Sequence, residues 1–137
     1  VILIDYGMTE AEYFHPQRNQ GTLKCFSNHK SCDNPFIHIG KQDITASVNF
    51  SNIASIAKES GFKVSGYTTQ SMFLISLGID NYLKNEENEE KKVKIAQEIK
   101  QLVLPGTMGE VFKVMALSKK QSVKLKGFKE LDLTNRL

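Results

Sequence analysis

Val1-Ile2-Leu3-Ile4-Asp5-Tyr6-Gly7 opens the chain and decides how its fold is read. Four consecutive apolar residues leave no polar face. Such a strand suits the interior of a parallel sheet, where helices cover both faces, and it needs strands on its edges. The run has no polar lead-in, so the expectation is that the chain starts inside an element and that some of the neighbouring strands lie upstream of Val1. Asp5-Tyr6-Gly7 closes the run. The polar stretch to about Gln20, in which His15-Pro16 disfavours helix, reads as a loop at the strand's carboxyl end.

The rest of the pattern alternates strand and helix periods. Residues 21–29 suit a short strand, Asp33-Asn34-Pro35 a turn, and residues 8–45 together an insert outside the core. From Ile44 to Phe50 the period is two, with Ile44, Ala46, Val48 and Phe50 on a packed side and Asp43, Thr45, Ser47 and Asn49 on a polar one. Asn49 or Ser51 can cap a helix carrying Ile53, Ala54, Ile56 and Ala57, which Gly61 stops. A strand over 62–67 follows, then a helix from Thr69 or Ser71 through Met72, Phe73, Ile75 and Ile79. A third helix carries Ile95, Ile99, Leu102 and Val103 on one stripe, with Glu87/Lys91 and Glu90/Lys94 four residues apart, and ends at Pro105-Gly106. A strand over 111–117 comes next, and Val123 and Leu125, alternating with lysines, predict a final edge strand. The rhythm is βαβα, an α/β chain.

A chain of 137 residues, 40% apolar and 24% charged, with mean hydropathy of −0.31, is one globular domain or part of one. The net charge of +3, from 18 basic and 15 acidic residues spread along the chain, argues against a nucleic-acid partner. No apolar run approaches the roughly 18 residues of a membrane span, so no membrane insertion is expected. Cys25 and Cys32, with no secretory leader in view, suit free thiols in a reducing cytoplasm. With His29 and His38 they give C-x3-H-x2-C-x5-H, ligand types zinc accepts at a spacing that fits no established module, so no metal is expected.

Several segments resemble the MidA-like family of class I S-adenosyl-L-methionine-dependent methyltransferases, which includes a mitochondrial respiratory complex I assembly factor. They are Ile4-Asp5-Tyr6-Gly7, Gly21-Thr22-Leu23 with His29, Gln42-Asp43-Ile44-Thr45-Ala46, Thr69-Gln70 with Phe73-Leu74, and Leu104-Pro105 through Met108-Gly109 to Phe112-Lys113-Val114. The resemblance covers nearly the whole chain and depends on their order. It implies the C-terminal half of a Rossmann-like, three-layer α/β/α methyltransferase fold, with residues 1–137 forming part of a single domain and the last strand antiparallel. Two departures stand out. Ser47 and Asn49 lie where the family commonly has His and Asp, and the chain has no glycine-rich first strand-to-helix loop. The site for S-adenosyl-L-methionine is therefore expected mostly on a segment absent from this sequence.

Ligands of open α/β sheets sit beyond the carboxyl ends of the strands, where Asp5, Tyr6 and Gln70 are expected. Asp5 is then either a catalytic group facing the substrate or a loop carboxylate with local hydrogen bonds; Tyr6 is either a substrate contact or a half-buried aromatic. The family resemblance marks Gln42, Asp43 and Thr45. Asp43 could pair with a guanidinium as a catalytic positioning group or be a solvated strand-start carboxylate, while Gln42 and Gln70 could orient a substrate amide or be surface glutamines. The resemblance implies methyl transfer to a protein acceptor, at arginine, in the cytoplasm or the mitochondrial matrix. A noncatalytic protein-binding fragment or degenerate methyltransferase module is the alternative. The exposed first strand also predicts that the chain alone is marginal or self-associated, as a homo-oligomer.

Overall fold

The opening apolar run forms strand β1 (Ile2–Met8) in the computed structural model, which describes residues 1–27, 30–37, 39–120 and 124–137. A short helix, α1 (Glu10–Tyr13), follows. Then β2 (Lys24–Ser27), β3 (Lys30–Cys32) and β4 (Asp43–Thr45) build a separate antiparallel sheet in the order β3-β2-β4. β5 (Val48–Asn49) leads directly into α2 (Phe50–Glu59), and β6 (Phe62–Thr69) into α3 (Gln70–Ser76). After α4 (Asn81–Lys84) and α5 (Glu89–Val103), α6 (Met108–Val111) opens onto β7 (Phe112–Lys119). Two 3-10 turns, Lys126–Phe128 and Thr134–Arg136, follow.

Helix starts obey the capping chemistry of the sequence. Asn49 Oδ1 accepts from the Asn52 N–H at 3.1 Å, Thr69 Oγ1 from Met72 at 3.3 Å and Asn88 Oδ1 from Lys91 at 3.1 Å, so each cap satisfies a first-turn donor. Gly61, at φ +77°, ends α2. The second long helix stops earlier than its apolar spacing predicts, at Ser76 rather than Ile79, because Gly78 at φ +80° turns the backbone left-handed. In α5 the ion pair formed is Glu89–Lys92 at 2.8 Å, one turn apart.

The main sheet runs β5-β1-β7-β6. β7 is antiparallel to both β1 and β6, as expected for the last strand, and β1 is parallel to β5. Val114, Met115 and Ala116 in β7 are all at most 1% exposed, so this strand is buried on both faces. Met115 packs with Phe50 and Ala54 of α2 and with Tyr67 of β6, while Val114 and Ala116 pack with Phe128 and with Phe73 of α3. Successive side chains point to opposite faces, so one strand supports two helical layers. Burying the side chains of Phe50 and Met115 contributes roughly 1.5–3 kcal/mol each.

Further expectations change. The stretch before Gln20, expected to be loop, contains the helical turn α1. β1 continues through Asp5-Tyr6-Gly7 to Met8, because Gly7 and Met8 pair with Val48 and Asn49. It is also not covered on both faces: Leu3 packs on the Met115 cluster, but Ile2 and Ile4 are 54% and 52% exposed. Residues 44–50 are not one strand. Asp43–Thr45 pairs with β2 and Val48–Asn49 with β1, so the backbone changes sheets at Ala46–Ser47 and Ile44, expected to pack, is 56% exposed. Lys124 and Leu125 form no strand; the 3-10 turn after them carries Phe128 onto the sheet, and Val123 lies outside the described residues.

That last contact depends on a glycine. β6 bulges between Val64 and Gly66, and a Cβ at Gly66 would lie 2.3 Å from Phe128 Cγ. Gly66→Ala is expected to lower stability by about 1–3 kcal/mol, the usual cost of overpacking, and Phe128→Leu in the same chain to recover part of it. Denaturant unfolding of the single and double variants measures both.

Candidate active site at the end of the first strand

β1 and β5 approach closely where Gly7 stands: a Cβ there would be 2.3 Å from the Val48 carbonyl oxygen and 2.7 Å from the Phe50 ring. Beside this junction lies a cavity of about 320 Å³, lined by Tyr6, Gly7 and Met8 from β1, Glu12, Arg18, Ser47, Val111 and Lys113. The carboxyl end of β1 and the amino end of β7 therefore form one wall, and the start of the insert forms the other.

Thr9-Glu10-Ala11-Glu12 is a short capping motif that positions the cavity's carboxylate. The Thr9 N–H and hydroxyl both donate to Glu12 Oε2 at 3.0 Å, and Arg18 Nε donates to the Glu12 carbonyl at 3.2 Å. The Thr9 backbone bond holds Glu12 below the ordinary glutamate range; burial opposes this, and the Thr9 hydroxyl, Lys113 and Arg136 add to it. Lys113 is half-buried and donates to the Glu110 carbonyl. Burial pushes its amine below the ordinary lysine value, and the Glu12 and Glu110 carboxylates pull it back up. Behind them, Tyr67 packs against Phe50 at 5.4 Å, and its buried hydroxyl has no partner among the described residues. Burial raises the Tyr67 phenol, as does the charge of Glu12. The cavity thus offers an ionised acceptor, two cationic donors and an apolar floor of Met8 and Val111, a set suited to orienting a polar acceptor.

Tyr6 is the one residue among the six expected from the sequence that lines this cavity, and its ring meets Phe112 edge-on at 5.5 Å. Asp5 is mid-strand and exposed, and its carboxylate accepts from the Tyr6 N–H at 2.8 Å. Gln70 is buried at the start of α3 and donates to the Leu102 carbonyl at 3.1 Å, so it joins α3 to the end of α5. Gln42 Nε2 donates to the Pro35 carbonyl at 2.8 Å, bracing the insert. Asp43, exposed, and Thr45, half-buried, lie on β4 opposite Phe26 and Lys24. His29 and His38 lie outside the described residues, and no metal-holding group of His, Cys, Asp and Glu occurs among those described. The Thr9-x-x-Glu12 spacing of a capping box is the signal that could have singled out Glu12 within a stretch read as loop; Lys113 stood in the Phe112-Lys113-Val114 motif of the resemblance with no role attached, and Arg18 read as a surface cation.

Residues 1–68 match the Methyltransf_28 family, described as "Putative S-adenosyl-L-methionine-dependent methyltransferase". A COG1565 superfamily member from Burkholderia thailandensis, described as a "likely methyl transferase" and crystallised with S-adenosyl-homocysteine, is 37% identical, with TM-score 0.94 over 99% of this chain. The chain is similar to methyltransferase-superfamily proteins along nearly its whole length. A native crystal structure of a COG1565 superfamily protein from the same organism gives 37% identity, TM-score 0.95 and 99% coverage. The chain spans 36% and 37% of the lengths of these two structures. Among curated proteins none matches.

The described residues do not by themselves fit a whole S-adenosyl donor. Such folds grip the nucleoside with free backbone N–H groups at a glycine-rich turn from strand into helix. Here the turns into α2 and α3 each have a first-turn N–H taken up by the Asn49 or Thr69 side chain, and the positive-φ glycines, at 21, 40, 61, 78 and 106, all lie elsewhere.

Glu12 makes the cavity's contribution to stability dependent on pH. Its folded pKa lies below the ordinary value of 4.5, so its ionised form adds stability that is fully present above pH 4.5 and is lost as the pH falls through the folded value. Glu12→Gln is expected to lower stability at pH 7 by up to about 1 kcal/mol, as for a solvent-screened interaction. The difference should close in acid, which urea unfolding at pH 7, 5 and 3 follows.

Proposed function

We propose that the chain is the C-terminal, substrate-facing part of a Rossmann-like S-adenosyl-L-methionine-dependent methyltransferase of the MidA-like kind, acting on a protein acceptor at arginine. One observation carries the methyltransferase part of this reading, namely that nearly the entire chain superimposes, at 37% identity, on a protein crystallised with S-adenosyl-homocysteine, while spanning 36% of that protein; the arginine acceptor rests on the motif resemblance. The open edge of β1 supports it. Residues 2–6 pair with β7 on one side, and on the other only Gly7 and Met8 have a strand partner among the described residues. A further strand from the rest of the enzyme, or from a second copy, would complete that edge and cover Ile2 and Ile4.

In this reading the cavity beside Gly7 receives the acceptor. Glu12, ionised at neutral pH, accepts hydrogen bonds from a cationic group, and Lys113 and Arg18 fix its surroundings. No helix among the described residues is long and apolar enough to cross a membrane. Calorimetry tests the division of labour: the isolated chain is expected not to bind S-adenosyl-L-methionine, and the complete gene product to bind it. Micromolar affinity in the isolated chain overturns the proposed division.

Asp43, exposed on β4 outside that cavity, is proposed to orient a part of the protein acceptor that extends past the cavity over the small sheet. Asp43→Asn in the complete enzyme is expected to leave the melting temperature unchanged and to slow methyl transfer by about 30- to 1,000-fold, or roughly 2–4 kcal/mol, through lost charge-assisted hydrogen bonds. Single-turnover kinetics and thermal melting together check this; unchanged turnover or a collapsed melting temperature defeats it.

A further inference from the structure

Cys25 and Cys32 are direct register partners across the antiparallel strands β2 and β3. Residues so paired project to the same face with Cβ atoms roughly 4.5–5.5 Å apart. A disulfide takes Cβ atoms roughly 3.5–4.5 Å apart, so a shift of about 1 Å between two short strands is sufficient. Access to the two thiols differs. Cys25 is fully buried on the central strand of the small sheet, between Cys32 and Ile44, whereas Cys32 is half-buried on its edge.

The reduced Cys32 thiol also has a structural task. Its sulfur accepts from the Asn34 N–H at 3.3 Å and contacts the Asn34 carbonyl oxygen at 3.6 Å. The carbonyls of Asn34 and Pro35 in turn accept from Gln42 Nε2, at 3.4 and 2.8 Å. A chain of contacts therefore runs from Cys32 through the turn at 34–35 to Gln42, next to Asp43. Turning the sulfur towards Cys25 would break the first link.

We propose that Cys25 and Cys32 are a redox modification site, forming a reversible cross-strand disulfide that releases the turn at 34–35 and repositions residues 42 and 43. The oxidant is a small disulfide such as oxidised glutathione. The Cys32 thiolate attacks one sulfur of the oxidant; the oxidant's S–S bond breaks and the departing thiolate takes up a proton. Cys25, deprotonated, then attacks the Cys32 sulfur, the mixed disulfide breaks, and the second small thiolate leaves and is protonated. Two protein thiols are oxidised and one small disulfide is reduced to two thiols. Burial pushes the Cys25 thiol up and shields it from the oxidant, so the more accessible Cys32 takes the first step, and Cys25 resolves the adduct because it stands directly opposite in register. The pairing of the two cysteines does not depend on the activity proposed above, although Asp43 lies at the end of the affected turn.

The test incubates the 137-residue chain with oxidised glutathione, alkylates the remaining thiols and digests with trypsin. Cleavage after Lys24, Lys30 and Lys41 places the two cysteines on separate peptides, residues 25–30 and 31–41. The expected product is those two peptides joined within one chain, released by dithiothreitol, with faster hydrogen exchange over residues 33–43 in the oxidised form. Cys25→Ala is expected to stop at a stable glutathione adduct on Cys32. Cys32→Ser, which changes only the half-buried position, is expected to leave Cys25 unmodified in the folded chain. An adduct on Cys32 that persists in the wild-type chain, or a bond between two chains, overturns the disulfide. A disulfide that leaves exchange over 33–43 unchanged overturns its coupling to the turn.

Discussion

Strand Phe112–Lys119 is hydrogen-bonded to an antiparallel neighbour on each edge and buried on each face at Val114, Met115 and Ala116. The two helical layers do not touch the same residues of this strand; they meet through its alternation, Met115 towards α2 and Val114 with Ala116 towards α3 and Phe128. A one-residue slip would exchange the two faces, putting the small Ala116 where the Met115 side chain fills the space beside Phe50 and Tyr67. The same register places Lys113 across from Asp5 on one side and Thr69 on the other, which brings its amine into the cavity with Glu12. Core packing and site geometry therefore share one constraint.

The insert connects to this sheet through the backbone at Ala46–Ser47, which leaves β4 and joins β5 within two residues. Ser47 lines the cavity, and Asn49 has its side chain engaged by the first turn of α2. Ser47 thus gives the cavity a small hydroxyl, and Asn49 serves as a helix cap. Neither side chain ionises in the ordinary pH range, and the cavity residues with a shifted pKa are Glu12 and Lys113. The chemistry available here is that of orienting and charge-pairing a polar ligand.

β1 gives the sheet its unfinished side. Its edge at residues 2–6 and the side chains of Ile2 and Ile4 carry the features of an internal strand, yet they face no partner among the described residues. Unpaired N–H and C=O groups beside an apolar face are a template for another strand. The solved structures this chain resembles are nearly three times as long, and the resemblance runs at high structural similarity from one end of this chain to the other.

Local chemistry made much of the fold legible. Caps at Asn49 and Thr69 depend on one side chain reaching an amide three residues away, and the α/β rhythm depends on periods of two and 3.6, so both can be read without knowing what packs where. The resemblance to methyltransferases was likewise carried by short motifs in order. The candidate site was less legible. Tyr6 reaches the cavity, but Gln70 and Gln42, polar residues at plausible positions, turn out to brace α5 and the turn at 34–35. The split of residues 43–49 between two sheets was hidden because an alternating pattern specifies which faces a strand has and not which strand it pairs with. Lys113 and Glu12 are about a hundred residues apart, and only the antiparallel return of β7 beside β1 brings them together. The sequence by itself determined most of the elements and the caps that start α2 and α3, through interactions within a few residues; the tertiary structure decided where β1 ends, how residues 43–49 divide between two sheets and which charges share a cavity, because those depend on strand order and register between distant segments.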